Sequence, residues 1–297
     1  MRDDAADGSH DQRGVIPVHS RPSWSPVRAD LSKPSAARVY DYLLGGSSNF
    51  AIDRDFAHRA LEIFPGAREY ARLNRLFLQR VVRYYVARGI RQFLDIGSGI
   101  PTVGAVHEVA QRLAPESKVV YVDNEAVAIA HSQLMLQGNE RAAIVQADMR
   151  DPEQLFRIPE LSGTLDAAEP IGVLMLAMLH FVPDEQHPAE LIARYRDLLA
   201  PGSYLALSHG TDEDLPEVTE LGELYRDTST PATLRGRRQL TEMMSGFELL
   251  SPGVVFAPEW RPESAEDVGP DPQRSVCYAA VGRKPGVSDL ATEAGDG

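Results

Sequence analysis

Leu94-Asp95-Ile96-Gly97-Ser98-Gly99-Ile100-Pro101-Thr102 sets two glycines and a hydroxyl between an apolar run and a helical period. Glycines at such a turn let the backbone approach a bound molecule without a Cβ clash, and the turn aims amide N–H groups at it. A plain strand-to-helix turn has the same pattern. Asp123 closes the next apolar run about 25 residues on, where a carboxylate can accept both hydroxyls of a ribose. It also suits the start of a helix at Glu125, a role that Asn124 can take instead. Asp148 closes a third run and precedes Met149. Its carboxylate can accept an adenine amine while the thioether lies against the ring, or it can cap the turn to Asp151. Pro101 removes one N–H that a pyrophosphate would use, and the third glycine of a dinucleotide fingerprint is missing. Both points count against a nicotinamide or flavin dinucleotide.

These residues need strands to end beneath them. The pattern from Ile90 onward alternates strands and helices. Strands are expected at 92–96, 118–122, 142–147, 171–176 and 203–208, with helices at 102–113, 125–136 and 187–199 between them. Such alternation implies parallel pairing with helices on both faces. Two further strands, at 247–256 and 275–281, have no helix between them and read as a closing antiparallel hairpin. The expected fold is a Rossmann-like, seven-stranded, mostly parallel α/β sheet in residues 90–284, with a helical insertion at 212–245. Residues 34–89 read as an N-terminal helical cap, broken at Gly45-Gly46 and at Pro65-Gly66. Residues 1–33 and 285–297 read as disordered tails.

Composition narrows the function. Acidic residues outnumber basic ones by 43 to 30, and the net charge of −13 disfavours nucleic acid as a partner. Cys277 is the single cysteine, which excludes an intrachain disulfide and fits a cytoplasmic protein. No apolar run reaches the length of a membrane span, no signal-peptide pattern opens the chain, and no Cys/His spacing suits zinc. Cys277 is expected within the last strand, away from the strand ends. That position excludes a cysteine-nucleophile mechanism on cytosine.

Beyond these signals, the chain resembles an actinobacterial family of S-adenosylmethionine-dependent methyltransferases, formerly of unknown function, within the Rossmann-like methyltransferase superfamily. The resemblance runs from about Ser35 to Gly282. It rests on Ala37-Arg38-Val39-Tyr40-Asp41-Tyr42-Leu43-Leu44-Gly45-Gly46, Asn49-Phe50, Asp53-Arg54, Phe93 to Thr102 and His107-Glu108-Val109-Ala110. Val120 to Asn124 and Leu179-His180-Phe181-Val182-Pro183 complete it. It departs from the family pattern at Ser47-Ser48, where Lys-Asp is usual, and at Ala105, where Asn is usual.

The resemblance implies S-adenosyl-L-methionine as cofactor. Asp95, Gly97, Ser98 and Gly99 would flank its methionyl part, Asp123 and Asn124 its ribose, and Asp148 and Met149 its adenine. Tyr40 and Tyr42 diverge around a helix, so one can face the core while the other lines a cleft. Past the Gly-Gly stop, Asn49 and Phe50 would close with Tyr40 over the methionyl end; a capping helix with a glycine stop is the alternative. His180 is the candidate general base, with His209 a weaker one. A hydrogen-bonded core histidine has the same sequence. Alignment of donor and acceptor can supply much of the rate of methyl transfer, so no base is required. By elimination the acceptor is a small molecule. The competing readings are a cofactor-binding regulatory protein without catalysis and a nicotinamide-dependent oxidoreductase. The second lacks a Tyr-x-x-x-Lys pair.

Overall fold

A computed structural model describes residues 32–286 apart from 102–103, 214, 216, 227 and 229. The expected tails at 1–33 and 285–297 fall almost wholly outside the described residues, as does Thr102. Three helices come first: α1 (Ala36–Leu43), α2 (Ala51–Ile63) and α3 (Ala67–Ala87). Then β1 (Gln92–Ile96), α4 (Val106–Leu113), β2 (Lys118–Asp123), α5 (Ala126–Met135) and β3 (Ala142–Gln146) alternate. Two one-turn helices, α6 (Pro152–Leu155) and α7 (Pro159–Ser162), lead into β4 (Gly172–Leu176), α8 (Pro188–Leu198) and β5 (Tyr204–Gly210). Finally come α9 (Glu217–Tyr225), α10 (Arg237–Met243), β6 (Glu248–Leu249), β7 (Val255–Phe256) and β8 (Cys277–Arg283).

The sheet runs β3-β2-β1-β4-β5-β8-β6, with β7 also on β8. β1 to β5 are mutually parallel, and β8 is antiparallel to β5, β6 and β7. The seventh position across the sheet is therefore filled by two short strands. Pro252 and Gly253, the latter with φ +87°, interrupt what the sequence suggests is one strand from 247 to 256.

Side-chain alternation along the strands builds a core on each face. Leu94, Ile96, Val120 and Val122 pack with Ile192 and Tyr195 of α8 and Leu240 of α10. Phe93, Val119 and Tyr121 pack with Phe77, Val81 and Tyr85 of α3. A third apolar cluster spans Val39, Phe56, Phe64, Ala71, Val218 and Val276, joining the cap helices to α9 and the start of β8.

Two buried arginines tie the cap down. Arg38 of α1 pairs with Asp53 of α2 at 2.8 Å and with Glu125 at 2.7 Å, and Arg38 and Asp53 are 1% and 0% exposed. Glu125 also caps α5 by accepting from Ala128 N, so Glu125, rather than Asn124, is the capping residue. Arg80 of α3 donates to Ala257 O at 2.6 Å and Trp260 O at 3.0 Å.

Candidate active site

A cavity of about 810 Å³ opens where the parallel strands end, inside the range of roughly 300–1,000 Å³ usual for small-molecule sites. This is the edge at which open α/β sheets hold ligands. Asp95, Gly97, Ser98, Gly99, Asp123, Asn124, Asp148, Met149, Tyr40 and His180 all line it; Asn49 and Phe50 do not.

The glycine turn has a defined geometry. Gly97 and Gly99 take φ +66° and +62°, the left-handed region that glycine adopts without strain. A Cβ on Gly97 would lie 2.9 Å from Met178 Cβ, whereas one on Gly99 would meet nothing within 4 Å. The first glycine is required by packing, and the second leaves open space. Asp123 clamps this turn: Oδ2 accepts from Gly99 N at 2.7 Å and Oδ1 from Glu125 N at 2.8 Å. Each oxygen keeps a further acceptor site. Burial raises the Asp123 carboxyl above its usual range, and these amide bonds oppose the rise. Ser98 Oγ is buried without a partner.

Asp95, deep below the turn, is pushed up to about 7 by burial, opposed by the charge of Arg75 and reinforced by that of Asp123. Arg75 of α3 lines the cavity too, and its Nε is buried with no hydrogen-bond partner. Among the described lining residues it is the arginine without a carboxylate partner; Arg38 and Arg150 both have one. The sequence reading missed it. Its only signal is a cation on α3 between the buried Asn74 and Leu78. At the outer end, Arg150 grips both oxygens of Asp148 and holds that carboxyl below its usual range.

The N-terminal motif divides as its spacing requires. Tyr40 lines the cavity and donates to Ala71 O at 3.0 Å, while Tyr42 points outward and pairs with His58 Nε2 at 2.8 Å. Asp41 accepts from Ser48 N at 2.8 Å and from Asn49 Nδ2 at 2.9 Å, and a Cβ on Gly46 would run into its carboxylate. The Asn49 amide is thus spent on its own loop. Phe50 is 40% exposed and stands at the start of α2.

His180 lies past β4, in a short 3₁₀ turn at Leu179–Phe181, after Ala177 at φ +52°. Burial, then His209 and Arg235, lowers its imidazole well below the usual range. His209 lies inside β5, not after it. Its Nδ1 donates to Gly210 O at 2.8 Å and its Nε2 accepts from Arg235 at 3.0 Å. With both nitrogens committed and burial pushing it to about 3, His209 is a neutral core residue. Arg235 also donates to Leu179 O and Val182 O and so fixes the turn that carries His180. Cys277 heads β8 opposite Gly210, at the strand-end edge rather than away from it. Burial pushes its thiol up to about 12, so it is no nucleophile. Among the described residues, no group of three or more His, Cys, Asp or Glu could hold a metal ion, and no helix is long and apolar enough to cross a membrane.

A glycine turn and carboxylates at successive parallel strand ends, under a helical cap, define a Rossmann-like cofactor-binding enzyme. The S-adenosyl methyltransferase family model matches residues 22–285, and the chain belongs to that family. It is an S-adenosylmethionine-dependent methyltransferase. Two solved structures are similar along nearly their whole length. A proposed methyltransferase from Thermobifida fusca YX is 37% identical, with a TM-score of 0.83, covering 89% of this chain and 100% of that one. A DUF574 family protein from Streptomyces avermitilis MA-4680 is 39% identical, with a TM-score of 0.82, covering 86% and 99%. No curated protein matches the chain.

Proposed function

We propose that S-adenosylmethionine lies over the ends of β1, β2 and β3 and that the acceptor is a small molecule held beside β4 and α9. The observation that carries this reading is the gathering of unspent polar groups at one end of the cavity: Ser98 Oγ, Arg75 Nε and the Asp95 carboxyl. They fit an amino acid's paired charges, with Arg75 set for a carboxylate and Asp95 for an ammonium. The open space at Gly99 admits the ligand's chain. When bound, the cofactor supplies a methyl group activated by a sulfonium. Asp123 offers its two remaining acceptor sites to the ribose hydroxyls, with Asn124 beside it. Asp148 and Met149 face the adenine, the carboxylate sharing its oxygens with Arg150. Tyr40 walls the methionyl end. His180 orients the acceptor and takes its proton.

The net charge of −13 supports an acceptor other than nucleic acid, and the lone buried thiol supports a cytoplasmic location. Calorimetry with S-adenosylhomocysteine and with methylthioadenosine, which lacks the amino-acid part, tests the site. Arg75→Met is expected to weaken the first by about 1.5–3 kcal/mol, the scale of hydrogen bonds to charged groups, and to leave the second unchanged. Equal losses for both ligands would remove Arg75 from the methionyl subsite.

A further inference from the structure

The charged residues lining the cavity are unevenly placed. Asp95, Asp123, Glu125, Asp148 and Arg150 lie at or just past the ends of β1, β2 and β3, and Arg38 and Arg75 reach toward them from the cap. The opposite side is built by Leu43, Phe64, Tyr70, Leu221, Tyr225 and Leu234, and no described lining residue there is charged. Burial keeps both tyrosines as neutral phenols, Tyr225 at about 12. A ligand charge placed among these side chains would lose its water and gain no counter-charge.

Two polar side chains on this side lack partners. His180 is 8% exposed, its Nδ1 is shut off from solvent, and neither ring nitrogen has a hydrogen-bond partner among the described residues. Thr230 Oγ1 is buried and likewise unpaired. Both residues line the cavity, and Thr233 N, three positions after Thr230, donates to His180 O at 2.7 Å. Buried polar groups nearly always find partners, so two orphans facing one cavity mark where a ligand's polar group belongs.

We propose that the methyl acceptor is an electrically neutral, largely apolar small molecule carrying one hydroxyl or amine, which hydrogen-bonds to His180 and Thr230 within the uncharged side of the cavity. This rests on the cofactor lying over β1 to β3. The acceptor's oxygen or nitrogen forms the bond to the methyl carbon as the carbon–sulfur bond breaks, and that electron pair stays on sulfur. The acceptor's proton passes to the His180 ring and on to water. A weakly basic imidazole suffices, because the methylated oxygen or nitrogen is far more acidic than the group it came from.

The test uses the full chain saturated with S-adenosylhomocysteine, whose binding is measured first by calorimetry. Probes are one- and two-ring phenols and aryl amines. Each is matched with the carboxylate and the trimethylammonium of the same ring and, for the phenols, with the methyl ether. Ligand-observed NMR reads their binding. Neutral protic probes are expected to bind at least tenfold more tightly than both charged analogues. His180→Ala is expected to weaken the phenols about tenfold and leave their ethers unchanged. Gly222 of α9 has room for a Cβ, 3.4 Å from Leu234 Cδ1, so Gly222→Leu should fold, fill the chamber and exclude every probe while S-adenosylhomocysteine affinity stays within twofold. Equal or tighter binding of the charged analogues, or no binding of any neutral probe, overturns the proposal. Failure to bind S-adenosylhomocysteine overturns the cofactor placement as well.

Discussion

The two sides of the cavity are held together by different physics. Over β1 to β3, position is set by charge and backbone: Asp123 grips two amides, Arg38 bridges two carboxylates, and Gly97 and Gly99 take positive-φ conformations that cost other residues strain. Beside β4 and α9, position is set by apolar packing of Phe64, Val218 and Val276, and the buried Arg235 is spent on carbonyls and on the exposed Asp184 rather than offered to the cavity. The first arrangement suits a ligand that never changes, since each directed bond must meet the same atom. The second specifies a volume, which substitution can reshape without leaving a buried charge unpaired.

The largest effect tests the clamp. Arg38→Met strands Asp53 and Glu125 beside each other's former partner, and loss of one member of a buried pair costs about 3–5 kcal/mol. Urea unfolding should show that loss, with Arg38→Lys falling between. A change below about 1 kcal/mol would put the anchoring of the cap in apolar packing and erase the contrast between the sides.

Next comes the turn. Gly97→Val forces a branched side chain into positive φ and against Met178, about 2–5 kcal/mol of combined strain and overpacking. S-adenosylhomocysteine binding should disappear while the helical circular dichroism persists. Normal binding would mean that the cofactor lies elsewhere.

Asp123→Asn is smaller. It keeps the shape but trades a charged acceptor for a neutral one, and should weaken the cofactor by about 1.5–3 kcal/mol. Unchanged calorimetric affinity with the fold intact would discard the ribose assignment.

Smallest is the response to pH, which also separates the sides. His209 at about 3 stays neutral from pH 5 to 8, and burial lowers His180 well below the usual imidazole range. Asp95 at about 7 titrates within that window. Its folded pKa lies above the unfolded one, so its contribution to stability is complete below about pH 4 and is lost as pH rises through about 7. Cofactor affinity moves the other way. An ammonium needs the carboxylate, so binding should strengthen from pH 6 to 7.5, by at most about tenfold per unit. Asp95→Asn should flatten both trends, and a persisting slope would assign the titration to another group.

The charged side was legible in the sequence because its signals are local. Glycines and carboxylates at strand ends recur at fixed offsets, and Asp95, Gly97, Ser98, Gly99, Asp123, Asn124, Asp148 and Met149 all reach the cavity. Arg75 was hidden because a helical period shows which face is buried, not that a cation on it lacks a partner. Asn49 and Phe50 drew attention for their unusual composition, yet Asp41 spends the Asn49 amide on a loop contact that no spacing rule reveals. His180 and His209 are told apart by Arg235, which occupies Nε2 of His209 and makes no bond to the His180 ring. The uncharged side left almost no trace, since Leu221 and Tyr225 read as one face of an ordinary helix.

The Arg80 contact also sets an order of events during synthesis. Its acceptors, Ala257 O and Trp260 O, lie 177 and 180 positions later in the chain. Contacts of such separation close last, after loop entropy has been overcome by nearer pairings. Helix α3 leaves the ribosome before any strand, yet its guanidinium must stay in water until nearly everything else has emerged. A chain halted before residue 257 would hold a formed α3 that cannot bury Arg80 without leaving the charge unsatisfied. Final docking of the earliest long helix thus reports that the chain has been read almost to its end.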